Sequence, residues 1–161
     1  MKNFYCYDTE IGKITIADNG VAVTNVAFGA GGNFLKANTD YYVKETDLIS
    51  RTIYELNEYL KGGRKYFSVP VYAEGAPFRK KVWDALLTIP YGETKSYKQI
   101  AAETGNVKAC RAVGSANNKN PAAILIPCHR VIGADGSLTG YAGGLEVKQR
   151  LLDLEKYYVS R

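Results

Sequence analysis

Along the first thirty positions apolar and polar residues alternate in short runs, and from residue 47 the apolar positions recur every three or four. The first pattern predicts an antiparallel β-meander of three strands, Phe4 to Thr9, Lys13 to Ala17 and Val21 to Ala27. Ile11-Gly12 and Asn19-Gly20 supply its turns, and an Asn-Gly pair is a strong hairpin signal. Gly29-Ala30-Gly31-Gly32 reads as a flexible loop. Leu48, Ile49, Ile53, Leu56 and Leu60 share one face of a helix from Asp47 to Lys61, with Asp47 as N-cap and Gly62-Gly63 as its end. A short strand near Tyr66 to Val71 is expected next. Pro77 suits the first position of another helix, whose buried face is Phe78, Val82, Trp83, Leu86 and Leu87 and which Pro90 stops.

These elements predict an α+β fold. A small N-terminal β-meander and helix domain, residues 1–75, precedes a mostly helical domain, residues 76–161. The boundary falls at the linker Tyr72-Ala73-Glu74-Gly75-Ala76, where the charge also changes. Residues 1–75 hold 8 Lys and Arg against 9 Asp and Glu, and residues 76–161 hold 13 against 7, so the net +5 lies wholly in the C-terminal half. A basic half of this kind is the footprint of an anionic partner, nucleic acid first, although a solvated surface has the same charge. A hydrophobic fraction of 46% and a charged fraction of 23% are ordinary for a globular protein and exclude a disordered chain. No apolar run approaches the roughly 18 residues a membrane helix needs. With no apolar leader at its start, the protein is expected in the cytoplasm, or in the nucleus of a eukaryote.

Ser96 to Thr104 reads as a short helix, with Ser96 and Gln99 spaced as a capping box. Gly105-Asn106 breaks it, and Val107 to Asn117 reads as a second helix, giving the sequence form of a helix-turn-helix. Ala109, Ala112, Gly114, Ser115 and Ala116 keep the second helix slim, while Lys108 and Arg111 carry charge. Such a helix can approach a duplex closely; equally, small residues let a helix pack tightly on a neighbour.

The apolar run Ile124-Leu125-Ile126, read as a buried strand, ends in Pro127-Cys128-His129-Arg130. Cys6, Cys110 and Cys128 are too few and too scattered for a disulfide framework or a zinc site, so no metal and no cofactor is expected. A free thiol is only a few per cent ionised at neutral pH, and the single histidine, His129, is the base suited to take its proton, through a water if the two side chains do not face each other. A base is usually oriented by a third group; Glu155 and Asp153 of the C-terminal helix are the candidates. Cys6 and Cys110 read as structural.

Ile126-Pro127-Cys128-His129-Arg130-Val131 resembles the active-site signature of the O6-alkylguanine-DNA alkyltransferases, the methylated-DNA–protein-cysteine methyltransferases. Pro90-Tyr91-Gly92-Glu93-Thr94-Lys95-Ser96-Tyr97, Arg111-Ala112-Val113-Gly114, Asn120-Pro121 and Tyr141-Ala142-Gly143-Gly144-Leu145 resemble further segments of that family, in its order, between about Pro77 and Glu155. The resemblance implies an RNase H-like N-terminal domain and a helix-turn-helix that binds duplex DNA in the minor groove. It implies a monomer that flips O6-alkylguanine, and by extension O4-alkylthymine, out of the duplex. Cys128 would accept the alkyl group irreversibly, once per molecule. By the same resemblance His129 takes the thiol proton through a water, Glu155 orients His129, and Asn120 braces the turn. Tyr97 donates a hydrogen bond to the guanine ring and crowds the phosphate. Arg111 fills the gap left by the flipped base, with Lys108, Ala109, Ala112, Gly114 and Ser115 at the DNA. Tyr141, Ala142, Gly143 and Arg130 form the substrate pocket.

Two positions depart from some members: Ala142 stands where they have serine, and Ala123 where they have proline, both bearing on bulky alkyl groups. The N-terminal zinc ligands of some members are absent, and Cys128 speaks against the non-repairing relatives, which have tryptophan there. A damage-binding protein and a thiol hydrolase are the competing readings. The former requires an inert Cys128, and the latter leaves the basic half and the slim helix unexplained.

The implied role of Arg111 predicts that Arg111→Ala slows repair of duplex DNA far more than reaction with the free base, measured as single-turnover rates. Equal slowing would remove Arg111 from base flipping. Affinity for duplex DNA should fall steeply with salt.

Overall fold

The computed structural model describes residues 1–31, 35 and 40–161; Gly32, the last residue of the expected glycine loop, lies outside them. Two compact units divide the chain. One holds Met1–Ala73 with Pro121–Leu125, the other Glu74–Asn120 with Ile126–Arg161.

In the first unit β1 (Lys2–Thr9), β2 (Gly12–Asp18) and β3 (Val23–Phe28) form the expected antiparallel meander. A short β4 (Tyr41–Val43) adds parallel to β1, giving the order β3-β2-β1-β4. Helix α1 (Asp47–Leu60) buries Ile49, Ile53, Leu56, Tyr59 and Leu60, and Ile14, Ile16 and Val26 of the sheet are likewise buried. Strand β3 starts two residues later than the alternation predicts. The Asn19 carboxamide oxygen accepts the N–H groups of Val21 and Ala22, both at 2.9 Å, and holds them in the turn. The N-cap of α1 is Thr46 rather than Asp47: its hydroxyl oxygen accepts the Ile49 N–H at 3.1 Å. The same hydroxyl donates to the buried carboxylate of Asp18 at 2.5 Å.

Two expected strands are absent. Between Tyr66 and Val71, the Ser68 N–H and hydroxyl both go to the Glu55 carboxylate, at 2.8 and 2.5 Å, and Pro70 has no N–H to offer a ladder. A single parallel bridge, Val23 to Val71, is what forms. The run Ile124-Leu125-Ile126 is also no strand. Val26 bonds to Pro121 and Ala123 across an isolated bridge at Ala122, and the chain then reverses. Ile124 has φ 72°, and the Leu125 N–H reaches back to the Ala123 carbonyl at 2.9 Å. This is a γ-turn in the left-handed region, which β-branched residues rarely enter.

In the second unit α2 (Pro77–Leu87) starts on Pro77 as expected and buries Val82, Trp83 and Leu86. The Trp83 indole N–H donates to the Ala116 carbonyl at 2.9 Å, tying α2 to α4 (Cys110–Asn118). Strand β5 (Lys95–Ser96) leads into α3 (Tyr97–Glu103), and the capping box forms: Ser96 Oγ accepts the Gln99 N–H, and Gln99 accepts the Ser96 N–H. Helix α4 begins at Cys110, not Val107. Asn106 accepts the Lys108 N–H on its side chain and the Ala109 N–H on its carbonyl, each at 3.0 Å, so residues 106–109 make a turn. A single 3-10 turn (Cys128–Arg130), a two-residue β6 (Val131–Ile132) parallel to β5, and α5 (Leu145–Tyr158) complete the unit. Among the described residues no helix is long and apolar enough to cross a membrane.

The double role of Thr46 predicts that Thr46→Ala lowers stability by about 2 kcal/mol, the sum of a lost cap and an underbonded buried carboxylate. Thr46→Ser should recover most of it. An unchanged urea midpoint in Thr46→Ala would show that this hydroxyl does not hold α1.

Candidate active site

Cys128 opens the 3-10 turn, 6% exposed, directly after Pro127. Three hydrogen bonds hold the backbone at and just before Cys128. Its N–H donates to the Ile126 carbonyl at 2.8 Å, its carbonyl accepts from Asn117 Nδ2 at 3.3 Å, and Asn120 Nδ2 donates to the Ile126 carbonyl at 2.7 Å. Burial pushes the thiol up to about 11, against the opposing pull of the Asn120 amide and the Lys148 ammonium. The resting sulfur is therefore a protonated thiol. Desolvation outweighs the nearby donors and the ammonium.

His129 is fully buried, and its Nε2 lies 2.7 Å from Glu155 Oε2. Burial lowers its proton affinity more than Glu155 raises it, so the ring is neutral at neutral pH. Glu155 is an ionised carboxylate and accepts only, so Nε2 carries the hydrogen and Nδ1 carries the lone pair. That tautomer is a base.

Glu155 is the centre of the cluster. Its Oε1 accepts Arg130 Nε at 2.8 Å and the Gly92 N–H at 3.0 Å, and its Oε2 also accepts Arg130 Nη2 at 3.1 Å. Burial alone would raise its proton affinity, but the hydrogen bonds from His129 and Arg130 and the charge of the guanidinium win and hold it at about 2. Gly92 comes this close because it is glycine: its φ is +82°, and a Cβ there would lie 2.5 Å from the Val159 side chain. Asp153, the other candidate to orient His129, is exposed and bonded to Gln149. Arg130, expected in the substrate pocket, spends its guanidinium on Glu155 and on the Ile89 carbonyl at 2.8 Å.

Tyr97, Arg111 and Gly114 line an open cleft of about 360 Å³ with Cys110, Asn118, Thr139 and Gly140. Tyr97 Oη accepts a hydrogen bond from Thr139 Oγ1 at 2.7 Å. Arg111, Ala112 and Ser115 form the exposed face of α4, whose buried side is Val113, Ala116 and Asn117; Lys108 and Ala109 sit in the turn before it. Tyr141 is drawn near the cluster: burial first, and then the negative charge of Glu155, raise its hydroxyl well above the usual range. Ala142 is exposed and Gly143 half-buried beside it.

Lys148 was not singled out from the sequence. It is fully buried on α5, and its ammonium donates to the carbonyls of Val131 at 2.7 Å and Thr139 at 3.0 Å. Its signal was available: Lys148, Leu151 and Glu155 fall on one helical stripe, and a lysine and a glutamate on an apolar stripe mark a special site. Among the described residues no group of three His, Cys, Asp and Glu side chains is placed to hold a metal ion.

The chain is similar to known proteins over nearly its whole length. Residues 4–73 match the 6-O-methylguanine DNA methyltransferase ribonuclease-like domain, and residues 77–157 match the DNA binding domain of the same family. A methylated-DNA–protein-cysteine methyltransferase of Methanosarcina acetivorans is 46% identical over 92% of this chain and 95% of its own. The constitutive enzyme of that name from Bacillus subtilis is 42% identical, covering 96% of each chain. The crystal structure of Mycobacterium tuberculosis OGT in complex with DNA superposes with a TM-score of 0.88 at 43% identity, over 97% of this chain and 94% of that one. With a buried thiol, a neutral imidazole and an ionised carboxylate gathered in the matched region, the chain belongs to the 6-O-methylguanine DNA methyltransferase family.

Proposed function

We propose that the protein repairs DNA by direct reversal, moving an alkyl group from O6 of guanine to Cys128. The observation that carries this reading is the buried His129–Glu155 contact of 2.7 Å beside a buried thiol. As the lesion enters, Nδ1 of His129 takes the thiol proton through a water. The sulfur attacks the alkyl carbon in line; the S–C bond forms as the C–O6 bond breaks, and the electron pair leaves on the guanine. Tyr97 donates a hydrogen bond to the ring as that charge develops, and the released guanine anion takes a proton from water at N1 to give the neutral keto base. Glu155 stabilises the imidazolium that His129 becomes. The thioether has no good leaving group and nothing in the cluster activates water against it, so each molecule acts once.

Duplex DNA is engaged through α3 and α4 as a helix-turn-helix. The exposed Ala112 and Ser115 let α4 sit close in the minor groove, and Arg111 occupies the space of the everted base. Lys108 and the basic excess of the C-terminal half hold phosphates. Flipping costs a few kcal/mol, less for a badly paired base, which favours the lesion. Tyr141, Ala142 and Gly143 wall the pocket. The protein works as a monomer and accepts O4-alkylthymine as a secondary lesion.

The test is a mass measurement after incubation with duplex DNA containing labelled O6-methylguanine. One methyl per molecule on Cys128, saturating at that ratio and absent in Cys128→Ser, supports transfer. Binding without a gain in mass would instead indicate a lesion-binding protein, and repeated turnover of a small ester a hydrolase.

Because Glu155 is held at about 2, its carboxylate contributes stability that is complete above about 4.5 and is lost as pH falls towards 2. His129 adds to the loss on the acid side, since burial keeps it neutral and acid must charge it. Glu155→Gln should cost about 3–5 kcal/mol at neutral pH by leaving Arg130 buried without its counter-charge. It should also flatten the fall in stability between pH 4.5 and 2. Chemical denaturation across that range checks both; a full acid slope in Glu155→Gln would place the titrating group elsewhere.

A further inference from the structure

We propose that Thr139 is a positioning residue for Tyr97, setting the direction in which that phenol offers its proton to the everted base. The inference rests on the transfer reading above and adds a residue to it.

Thr139 is held by a closed circuit of contacts. Its hydroxyl donates to Tyr97 Oη at 2.7 Å. Its own carbonyl is taken by the buried Lys148 ammonium at 3.0 Å, and the same ammonium holds the Val131 carbonyl at 2.7 Å. Val131 belongs to β6, which pairs with β5 at Lys95–Ser96. Ser96 is the N-cap of α3, whose first residue is Tyr97. The path from Tyr97 through Thr139, Lys148, β6 and β5 thus returns to Tyr97, so neither end of the Thr139–Tyr97 bond can drift alone. A fully buried ammonium with two carbonyl partners is an expensive anchor, and its bond to the carbonyl of an exposed residue has a use here as the fixed post of that circuit.

The chemistry follows from the inventory of a phenol, which has one hydrogen to donate and lone pairs to accept. With its oxygen accepting from Thr139, the Tyr97 hydrogen must point elsewhere, and both residues border the cleft shared with Arg111 and Gly114. The accepted bond also polarises the O–H and makes it a stronger donor. That matters when negative charge develops on the purine as the C–O6 bond breaks. Without Thr139 the hydroxyl rotates freely, and part of the time its proton faces water.

The experiment compares Thr139→Val, which keeps the shape and removes the hydroxyl, with Thr139→Ser, which keeps the hydroxyl. Each is made in the unsubstituted protein and in Tyr97→Phe. Single-turnover methyl transfer from O6-methylguanine duplex is measured, with affinity for undamaged duplex as control. Thr139→Val should slow transfer about tenfold, the worth of one directed hydrogen bond, and leave affinity within about twofold. Thr139→Ser should restore the rate. In Tyr97→Phe the same change should have no further effect. The NMR signal of the hydroxyl-bearing ring carbon of Tyr97 should move in Thr139→Val and return in Thr139→Ser. An unaltered rate in Thr139→Val, or the same penalty in both backgrounds, would overturn the proposal. Failure of the transfer reading shows differently, as no methyl gained by the unsubstituted protein.

Discussion

A single buried carboxylate organises the second unit. Glu155 gathers the Gly92 N–H, two nitrogens of Arg130 and the His129 imidazole within 3.1 Å. A lone carboxylate at that depth would protonate; a guanidinium laid bidentate against it keeps it charged. The charge in turn decides which ring nitrogen of His129 holds the hydrogen, and hence that the other carries the lone pair. Helix α5 supplies the carboxylate, the 3-10 turn supplies His129 and Arg130, and the loop after α2 supplies Gly92, so their relative placement is fixed by the electrostatics of the site. The structural ion pair and the proton acceptor are one assembly.

That assembly also takes up the guanidinium of Arg130. Cys128, His129 and Arg130 are neighbours in the chain, and the family resemblance implied a place for Arg130 in the substrate pocket. In a 3-10 turn successive side chains point in different directions, and the guanidinium turns inward to neutralise the carboxylate. Its neighbours were legible because their chemistry is legible: one thiol, one imidazole, and a choice of two carboxylates that burial settles for Glu155.

The same division runs through the fold. The Ser96–Gln99 capping box and the Pro77 start were readable because their partners lie within one turn of helix. The meander was readable from alternation. The strands that failed to form, at Tyr66 to Val71 and Ile124 to Ile126, failed for reasons distant in sequence. Glu55 captures Ser68, and β3 takes up Pro121 and Ala123 before the chain reverses. Short apolar runs carry no mark of the partner that will claim their backbone groups. The acidity of the thiol was likewise out of reach, since it depends on how much water the packed site excludes.

The protonated state of Cys128 has one more consequence. Oxidants and stray electrophiles consume thiolates, and a sulfur with an affinity for its proton near 11, closed off from solvent, presents almost none. A sulfur that keeps its proton offers little thiolate to peroxide or to free alkylating agents. For a molecule with a single use, the same desolvation that makes the nucleophile sluggish at rest acts as its safety catch.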